Sequence, residues 1–184
     1  MLENRSTLLI AAAAAIGLAG AASADVVFSL TNQTFGAFEF ALAAPSGSLS
    51  GTLTGATIDV TLEQSVAYTY ADDLCLYLDA GTLSTQGALQ IGGYHTLFAT
   101  QRYFWPSGNS NALGTVSGGM VQLSIPIDLD GSDLNVWIGN GYSYPGSSGT
   151  WSGTITLHGV NTVPTPGAFA LLGLAGLAAS RRRR

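Results

Sequence analysis

The feature that most constrains the fold is a repeated two-residue alternation of apolar and polar side chains. In residues 58–63, Ile, Val and Leu alternate with Asp, Thr and Glu. Because successive side chains of a strand point to opposite faces, this pattern is typical of a half-buried β-strand. Strands are also expected in segments 26–30, 49–53, 74–78, 121–125, 134–138 and 151–157. No segment between residues 25 and 162 shows a sustained helical period.

Clusters of Gly, Ser, Asn and Pro separate these segments, as at 45–47, 106–109 and 145–149. These residue types favour turns. Segment 74–78 is apolar on both faces and predicts a central strand. About eight short strands joined by such turns predict an all-β fold, a single jelly-roll-like β-sandwich over residues 25–162. Two apolar end segments, an N-terminal signal peptide helix and a C-terminal hydrophobic helix, are expected to flank it.

Residues 1–24 are typical of a secretory signal peptide. Arg5 provides the positive charge, an apolar stretch follows over 8–22, and the small residues Ala22 and Ala24 predict cleavage before Asp25. The expected partners are the Sec translocon and signal peptidase. The alternative is a retained membrane anchor, but about 15 apolar residues are fewer than the roughly 20 that a stable span needs.

The C-terminal segment, residues 163–184, has three parts. It begins with Val163, Pro164, Thr165 and Pro166, continues in an apolar run over 167–180, and ends in Arg181, Arg182, Arg183 and Arg184. The prolines favour an extended backbone, and the apolar run is just long enough to approach a membrane span. The arginines are expected to stay on the cytoplasmic side.

This tail resembles the PEP-CTERM sorting signal of bacteria that make exopolysaccharide. The resemblance implies recognition by an exosortase, a membrane cysteine protease, and transient anchoring of the protein in the membrane. It therefore implies a final location in the cell envelope, at the cell surface or outside the cell. Thr165 stands where that family usually has Glu. The alternative is a simple C-terminal anchor that is never cleaved.

A second resemblance concerns the body of the chain. Segments 51–55, 58–61, 70–76, 134–140 and 149–157 resemble the pattern of P-domains, which are jelly-roll modules of proprotein convertases and of many secreted bacterial proteins. The resemblance implies a jelly-roll fold and a stabilising or interaction role.

The body is strongly acidic. Residues 25–162 hold ten Asp or Glu residues and one basic residue, Arg102, which gives a net charge of −9. Such a domain repels phosphate backbones, so no nucleic-acid partner is expected. Cys75 is the single cysteine, which excludes an intramolecular disulfide. It is expected to be a small buried apolar residue, with a reactive thiol as the alternative.

Asp128, Asp130 and Asp133 form the candidate metal site, since clustered carboxylates are suitable ligands for Ca²⁺. Their spacing departs from an EF-hand loop. The alternative is a hairpin turn that joins strands at 124–127 and 134–139. The pair Asp72 and Asp73 leaves the same two alternatives, a calcium ligand set or a solvated turn. No other cofactor is expected.

Arg102, Tyr103 and Trp105 form a candidate platform for sugar rings, with Phe104 between them. Possible additions to the platform are Tyr142, Tyr144 and Trp151. The alternative is that these aromatic residues fill one end of the core and that Arg102 pairs with an acid.

No catalytic residues are predicted, because neither His95 nor His158 lies in a motif that supports nucleophilic or metal catalysis. The sequence therefore predicts a non-catalytic exported protein, structural or associated with the extracellular matrix. The main alternative is a module that binds carbohydrate or Ca²⁺ in an exopolysaccharide matrix. A small secreted hydrolase is a third alternative.

Overall fold

The computed structural model describes residues 12–13, 25–84, 86–94 and 99–163. Within them the chain forms strands and one short 3₁₀ helix, Ala71–Asp73, and no α-helix. The strands are β1 (Ala12–Ala13), β2 (Val26–Gly36), β3 (Phe40–Ala44), β4 (Leu49–Val66), β5 (Leu74–Ala80), β6 (Leu89–Ile91), β7 (Gln101–Tyr103), β8 (Val116–Asp128), β9 (Leu134–Asn140) and β10 (Ser148–Thr162). The predicted all-β class is confirmed.

The strands form two five-stranded sheets. The first sheet has the order β1-β2-β10-β4-β8, and the second has the order β3-β9-β5-β6-β7. Neighbouring strands are antiparallel, except for the parallel pair β6 and β7. One cluster of buried apolar side chains is shared by both sheets, which gives a sandwich-like arrangement.

The core follows the alternation predicted from the sequence. On β4, Ile58, Val60 and Leu62 are buried, whereas Asp59 and Glu63 are exposed. β5 is the middle strand of the second sheet and is buried on both faces, as predicted. Its leucines belong to the shared core, while its Cys and Tyr side chains form a separate small cluster with aromatic neighbours on the other face of the sheet.

The hairpin expected between 124–127 and 134–139 is wrong. β8 belongs to the first sheet and β9 to the second, so residues 129–133 carry the chain from one sheet to the other. Leu129 explains the crossing, because this apolar side chain is buried in the shared core. Its N–H also donates to the carbonyl of Gly51 at 2.9 Å, which fixes the corner against β4.

The predicted flanking helices lie almost wholly outside the described residues. The exception is β1, where Ala12–Ala13 form a short strand beside β2 rather than a helix. Ala22, Ala24 and the tail from Pro164 to Arg184 are not described. Asp25 and Val163 are described, and the N–H of Val163 donates to the carbonyl of Ser48 at 2.8 Å. In the described part of the chain, no helix is long and apolar enough to span a membrane.

Candidate ligand-binding site

A pocket of about 360 Å³ opens at the end of the sheets where β4 finishes and β5 begins. This volume lies at the lower end of the range of roughly 300–1,000 Å³ that is usual for small-molecule sites. Most lining residues are aromatic or acidic. They are Tyr68, Tyr70, Asp72, Asp73, Gly93, Tyr94, Phe104, Asn109 and Tyr142.

The turn after β4 brings Tyr68 to the pocket. Ala67 and Tyr68 both have positive φ, 52° and 66°, a conformation that non-glycine residues rarely adopt. The hydroxyl of Ser65 donates to the carbonyl of Thr69 at 2.7 Å, and the hydroxyl of Thr69 donates to the carbonyl of Val66 at 3.0 Å. These bonds hold a strained turn that leaves the Tyr68 ring exposed.

The 3₁₀ helix places two carboxylates at the base of the pocket. The Asp73 carboxylate accepts hydrogen bonds from the N–H groups of Tyr70 at 2.7 Å and Tyr94 at 3.2 Å. The backbone carbonyl of Asp73 accepts from the N–H of Gly141 at 2.8 Å, and the backbone carbonyl of Asp72 accepts from the N–H of Gly93 at 2.9 Å. The chain segments that follow β6 and β9 therefore fix the position of both acids.

The environment of the acids favours their neutral forms. Asp73 is only 4% exposed, and burial raises its pKa to about 6. The hydrogen bond from Tyr70 opposes this rise, while the negative charge of Asp72 adds to it. Burial also raises the pKa of Asp72. A buried carboxylate in an aromatic pocket is a common feature of binding and catalytic sites.

Exposed aromatic side chains are concentrated here. In the described part of the chain, the five most exposed aromatic residues are Tyr68, Tyr70, Tyr94, Phe104 and Tyr144. The first four line the pocket, and the Tyr144 ring stacks on Tyr142 with centroids 6.3 Å apart and an interplanar angle of 14°. Tyr142 also meets Tyr94 edge to face at 6.4 Å. Tyr94, Tyr142 and Tyr144 thus form one continuous aromatic surface.

The residues of the predicted sugar platform are separated by the structure. Trp105 is buried and its indole N–H donates to the carbonyl of Leu74 at 2.7 Å. Tyr103 is half-buried and its hydroxyl is hydrogen-bonded to Ser124. Arg102 is exposed, with its guanidinium 5.1 Å from the centroid of the Phe104 ring. None of the three lines the pocket.

Of the possible additions to that platform, Tyr142 lies in the pocket wall and Tyr144 stacks on it. Trp151 is buried in the core, and its indole N–H donates to the carbonyl of Ala71 at 3.1 Å. Phe104, which lies within the predicted platform run, does line the pocket. Three further aromatic lining residues are not indicated as a ligand site by the sequence: Tyr68, Tyr70 and Tyr94. The available signal was the Tyr-x-Tyr-x-Asp-Asp run of residues 68–73, where aromatic residues continue beyond the end of a strand.

The candidate metal residues lie at the opposite end of the sheets, where Asp128 pairs with Thr52 near the start of β4. The Asp128 carboxylate accepts from the N–H of Asp130 at 3.0 Å, and the Asp130 carboxylate accepts from the N–H of Gly51 at 2.7 Å. Asp133 is exposed. Within the described ranges, no group of three or more His, Cys, Asp or Glu side chains is placed to hold a metal ion.

The remaining reactive residues have structural contacts. His158 joins two side chains, with Nδ1 2.8 Å from the Asp25 carboxylate and Nε2 2.7 Å from the Thr57 hydroxyl. It therefore fastens Asp25 to β10. Cys75 is buried, as expected, and burial raises the pKa of its thiol. His95 lies outside the described residues.

No protein-family model matches the chain, and neither curated proteins nor solved structures give a significant match. The fold and the pocket define a two-sheet all-β protein with an open aromatic and acidic site. Aromatic faces can pack against the C–H faces of a small ligand, while carboxylates and the Asn109 amide can bind its polar groups.

Proposed function

We propose that this protein is an exported, non-catalytic carbohydrate-binding module of the cell surface or extracellular matrix. The observation that carries this proposal is the concentration of exposed aromatic side chains around a pocket that also holds two carboxylates and an amide. The pocket favours ligand binding over a purely structural role, because exposed aromatic rings gathered on one surface are typical of recognition sites.

The chemistry of the pocket suits a saccharide. A sugar ring has apolar C–H faces, which pack on aromatic rings, and hydroxyl groups at its edge, which need hydrogen-bond partners. The rings of Tyr94 and Tyr142 can supply the first contact. The carboxylate of Asp72 and the amide of Asn109 can supply the second. Because the pocket is open, neighbouring units of a longer chain could lie on the adjoining Tyr144 surface.

The body of the module is proposed to be a jelly roll. β2 pairs with β10, β3 with β9, β4 with β8 and β5 with β6. The first half of the chain thus pairs antiparallel with the second half, and the resulting double ribbon crosses between two sheets. Eight-stranded jelly rolls have this kind of two-sheet organisation. The strand order supports the jelly-roll fold implied by the resemblance to P-domains.

Delivery to the surface is proposed to depend on both ends of the chain. The leader over residues 1–24 directs export through the Sec translocon, and the PEP-CTERM-like tail over 163–184 directs transient membrane anchoring and processing by an exosortase-like protease. The composition supports this assignment, because the basic residues other than Arg102 lie in these end segments. An exopolysaccharide is accordingly the proposed source of the saccharide ligand.

Binding to a panel of immobilised neutral, acidic and amino glycans tests the proposal. The full chain, produced in an exporting bacterial host and purified in detergent, is expected to bind at least one class. The double variant Tyr94→Ala, Tyr142→Ala is expected to lower affinity by about a hundredfold, because each stacking ring contributes roughly tenfold. Ile125→Ala is the matched control, since Ile125 is exposed on β8 but does not line the pocket.

Two results would contradict the proposal. One is the absence of binding to every glycan by a protein that unfolds cooperatively. The other is equal binding by the double variant and the Ile125→Ala control, which would place the contact outside the pocket.

A further inference from the structure

We propose that the pocket selects a saccharide that carries a protonated amino group, namely an oligosaccharide of unacetylated hexosamine. This inference rests on the proposed saccharide-binding function and specifies its substrate class. It is carried by the combination of aromatic faces and two carboxylates in the described part of the pocket. Arg102 is the cation beside these described residues, and it contacts the Phe104 ring and the Tyr94 carbonyl but does not line the pocket.

The pocket wall attracts cations. The face of an aromatic ring is negative, so a cation placed over Tyr or Phe within about 6 Å of the ring centre is stabilised. The structure already shows this contact between the Arg102 guanidinium and the Phe104 ring at 5.1 Å. An ammonium group in the pocket would meet the faces of Tyr94 and Tyr142 together with the carboxylates of the 3₁₀ helix.

The buried carboxylate at the base strengthens this preference. Asp73 accepts two backbone hydrogen bonds, yet no salt bridge joins it to a cation among the described residues. A carboxylate removed from water without a countercharge is unfavourable. Burial accordingly raises the pKa of Asp73 to about 6. A ligand ammonium would supply the countercharge that the described residues do not.

The charge of the whole body disfavours acidic glycans. Residues 25–162 have a net charge of −9, and the two acids in the pocket add local repulsion to this long-range field. Uronic acids and sulfated or phosphorylated sugars are therefore poor ligands. A neutral sugar would leave the Asp73 carboxylate without a countercharge. A cationic sugar would be attracted by the negative charge of the body and would also supply a countercharge for Asp73.

The preference is expected to depend on pH. Among the described pocket residues, Asp73 is the group whose pKa lies near 6. The N–H groups of Tyr70 and Tyr94 donate to it. The titratable or charged residues near it are Asp72, Cys75, Tyr142 and Arg102. Protonation of Asp73 below a pH of about 6 removes one negative charge. Affinity for the amine should therefore rise as the pH increases from about 5 to about 6, and should fall again at higher pH, where the ligand amine loses its own proton.

Calorimetric titration of the detergent-purified full chain with two probes tests the inference. One is a fully deacetylated oligomer of glucosamine, and the other is the N-acetylated oligomer of equal length. At a pH of about 6, where both the ligand ammonium and the pocket carboxylates carry charge, the free amine is expected to bind about tenfold more tightly, as one countercharge in a partly desolvated site implies. Asp72→Asn and Asp73→Asn should each reduce that ratio to about threefold or less. Asp133→Asn, which removes the same charge at the opposite end, should leave it unchanged.

The outcomes separate the two proposals. Equal binding of both oligomers would overturn the selection of an amine and leave saccharide binding in place. A preference that survives Asp72→Asn and Asp73→Asn would also overturn it. Failure of both oligomers, together with failure of every glycan in the panel, would instead remove the proposed function. The Asp73 side chain accepts two backbone hydrogen bonds, so Asp73→Asn could disturb folding. Asp72→Asn leaves those two bonds in place and therefore keeps the test decisive.

Discussion

Asp73 is a buried acid at the base of the pocket. Its carboxylate is buried beneath aromatic rings, and its two oxygens accept N–H groups from Tyr70 and Tyr94. These bonds hold the segments before β5 and after β6 against one another. The same burial disfavours the charged form of Asp73. At neutral pH the ionised Asp73 therefore lowers the stability of the folded state relative to a neutral side chain at this position.

The first prediction concerns this acid. Its pKa is about 6 in the folded protein and 3.8 without burial, so the folded state holds the proton more tightly. The stability contributed by protonated Asp73 is therefore present below a pH of about 4 and is lost as the pH rises to about 6. Asp73→Asn should remove this loss. Relative to the parent, its free energy of unfolding should increase by roughly 2 kcal/mol between pH values of about 4 and about 7. Urea unfolding across that range measures the change.

Asp133→Asn is the control for this measurement, because Asp133 is exposed and lies at the opposite end of the sheets. A difference between Asp73→Asn and the parent that stays constant with pH would contradict the assignment.

The residue scale also shows why the pocket was only partly predictable. The alternation in residues 102–105 indicates that Arg102 and Phe104 share one face of the chain and that Tyr103 and Trp105 share the other. It does not indicate which face is buried. The partners decide this, since β7 lies parallel to β6 and Trp105 reaches the carbonyl of Leu74 on β5. A platform that used both faces, as Arg102, Tyr103 and Trp105 would, is not what the fold presents.

At the scale of elements, the pocket depends on close backbone packing behind the 3₁₀ helix. Gly93 follows β6 and Gly141 follows β9, and a Cβ atom on Gly93 would lie 2.9 Å from the Cα of Gly141. Gly93 also has a φ of 77°. Both glycines donate their N–H groups to the carbonyls of the two acids. The close approach therefore aligns three segments of the second sheet with the base of the pocket.

The second prediction follows from this contact. Gly93→Ala combines a positive φ with a steric clash, whereas Gly47→Ala has a similar φ of 72° and no atom within 4 Å of the new Cβ. Gly47→Ala should cost about 1 kcal/mol from backbone strain alone, and Gly93→Ala should cost about 2–4 kcal/mol. Thermal unfolding of both variants measures the difference. Equal costs would show that the backbone after β6 moves to admit the methyl group.

Element types could be predicted more readily than element partners. The alternation along β4 and the apolar run of β5 identify two strands and their buried faces from the sequence alone. A period of two contains no information about which strand lies beside which. The segment after β8 illustrates this. Its Asp and Gly residues suggest a hairpin turn. In the structure, Leu129 is buried in the core and the chain crosses to the other sheet.

At the scale of the whole molecule, the fold has two different ends. The pocket lies where β4 finishes and β10 begins, and Trp151 links β10 to the 3₁₀ helix there. At the other end, Val163 leaves β10 beside Ser48, and Asp25 is held by His158. The predicted leader and tail therefore join the body at the end opposite the pocket.

The third prediction concerns processing. Mass spectrometry of the protein recovered from its host should give a chain that begins at Asp25 and lacks the apolar and arginine segment after Pro166. The tail cut falls after β10, which ends at Thr162, and the leader cut falls between β1 and β2, which begins at Val26. Processing should therefore remove the two-residue strand β1 and leave β2 to β10 in place. Recovery of the intact 184-residue chain from the cytosol would contradict both the export and the sorting proposals.

The separation of the two ends has a mechanical consequence. β10 has 15 residues, which at about 3.3 Å each extend roughly 50 Å from the end beside the pocket to the end that leads to the predicted tail. If the protein is anchored by its predicted tail while a polymer is bound in the pocket, a pulling force acts along the axis of β10. That strand is flanked by β2 and β4 along most of its length. Its ladder bonds would then be loaded together in shear rather than opened one after another, an arrangement suited to a tether under flow.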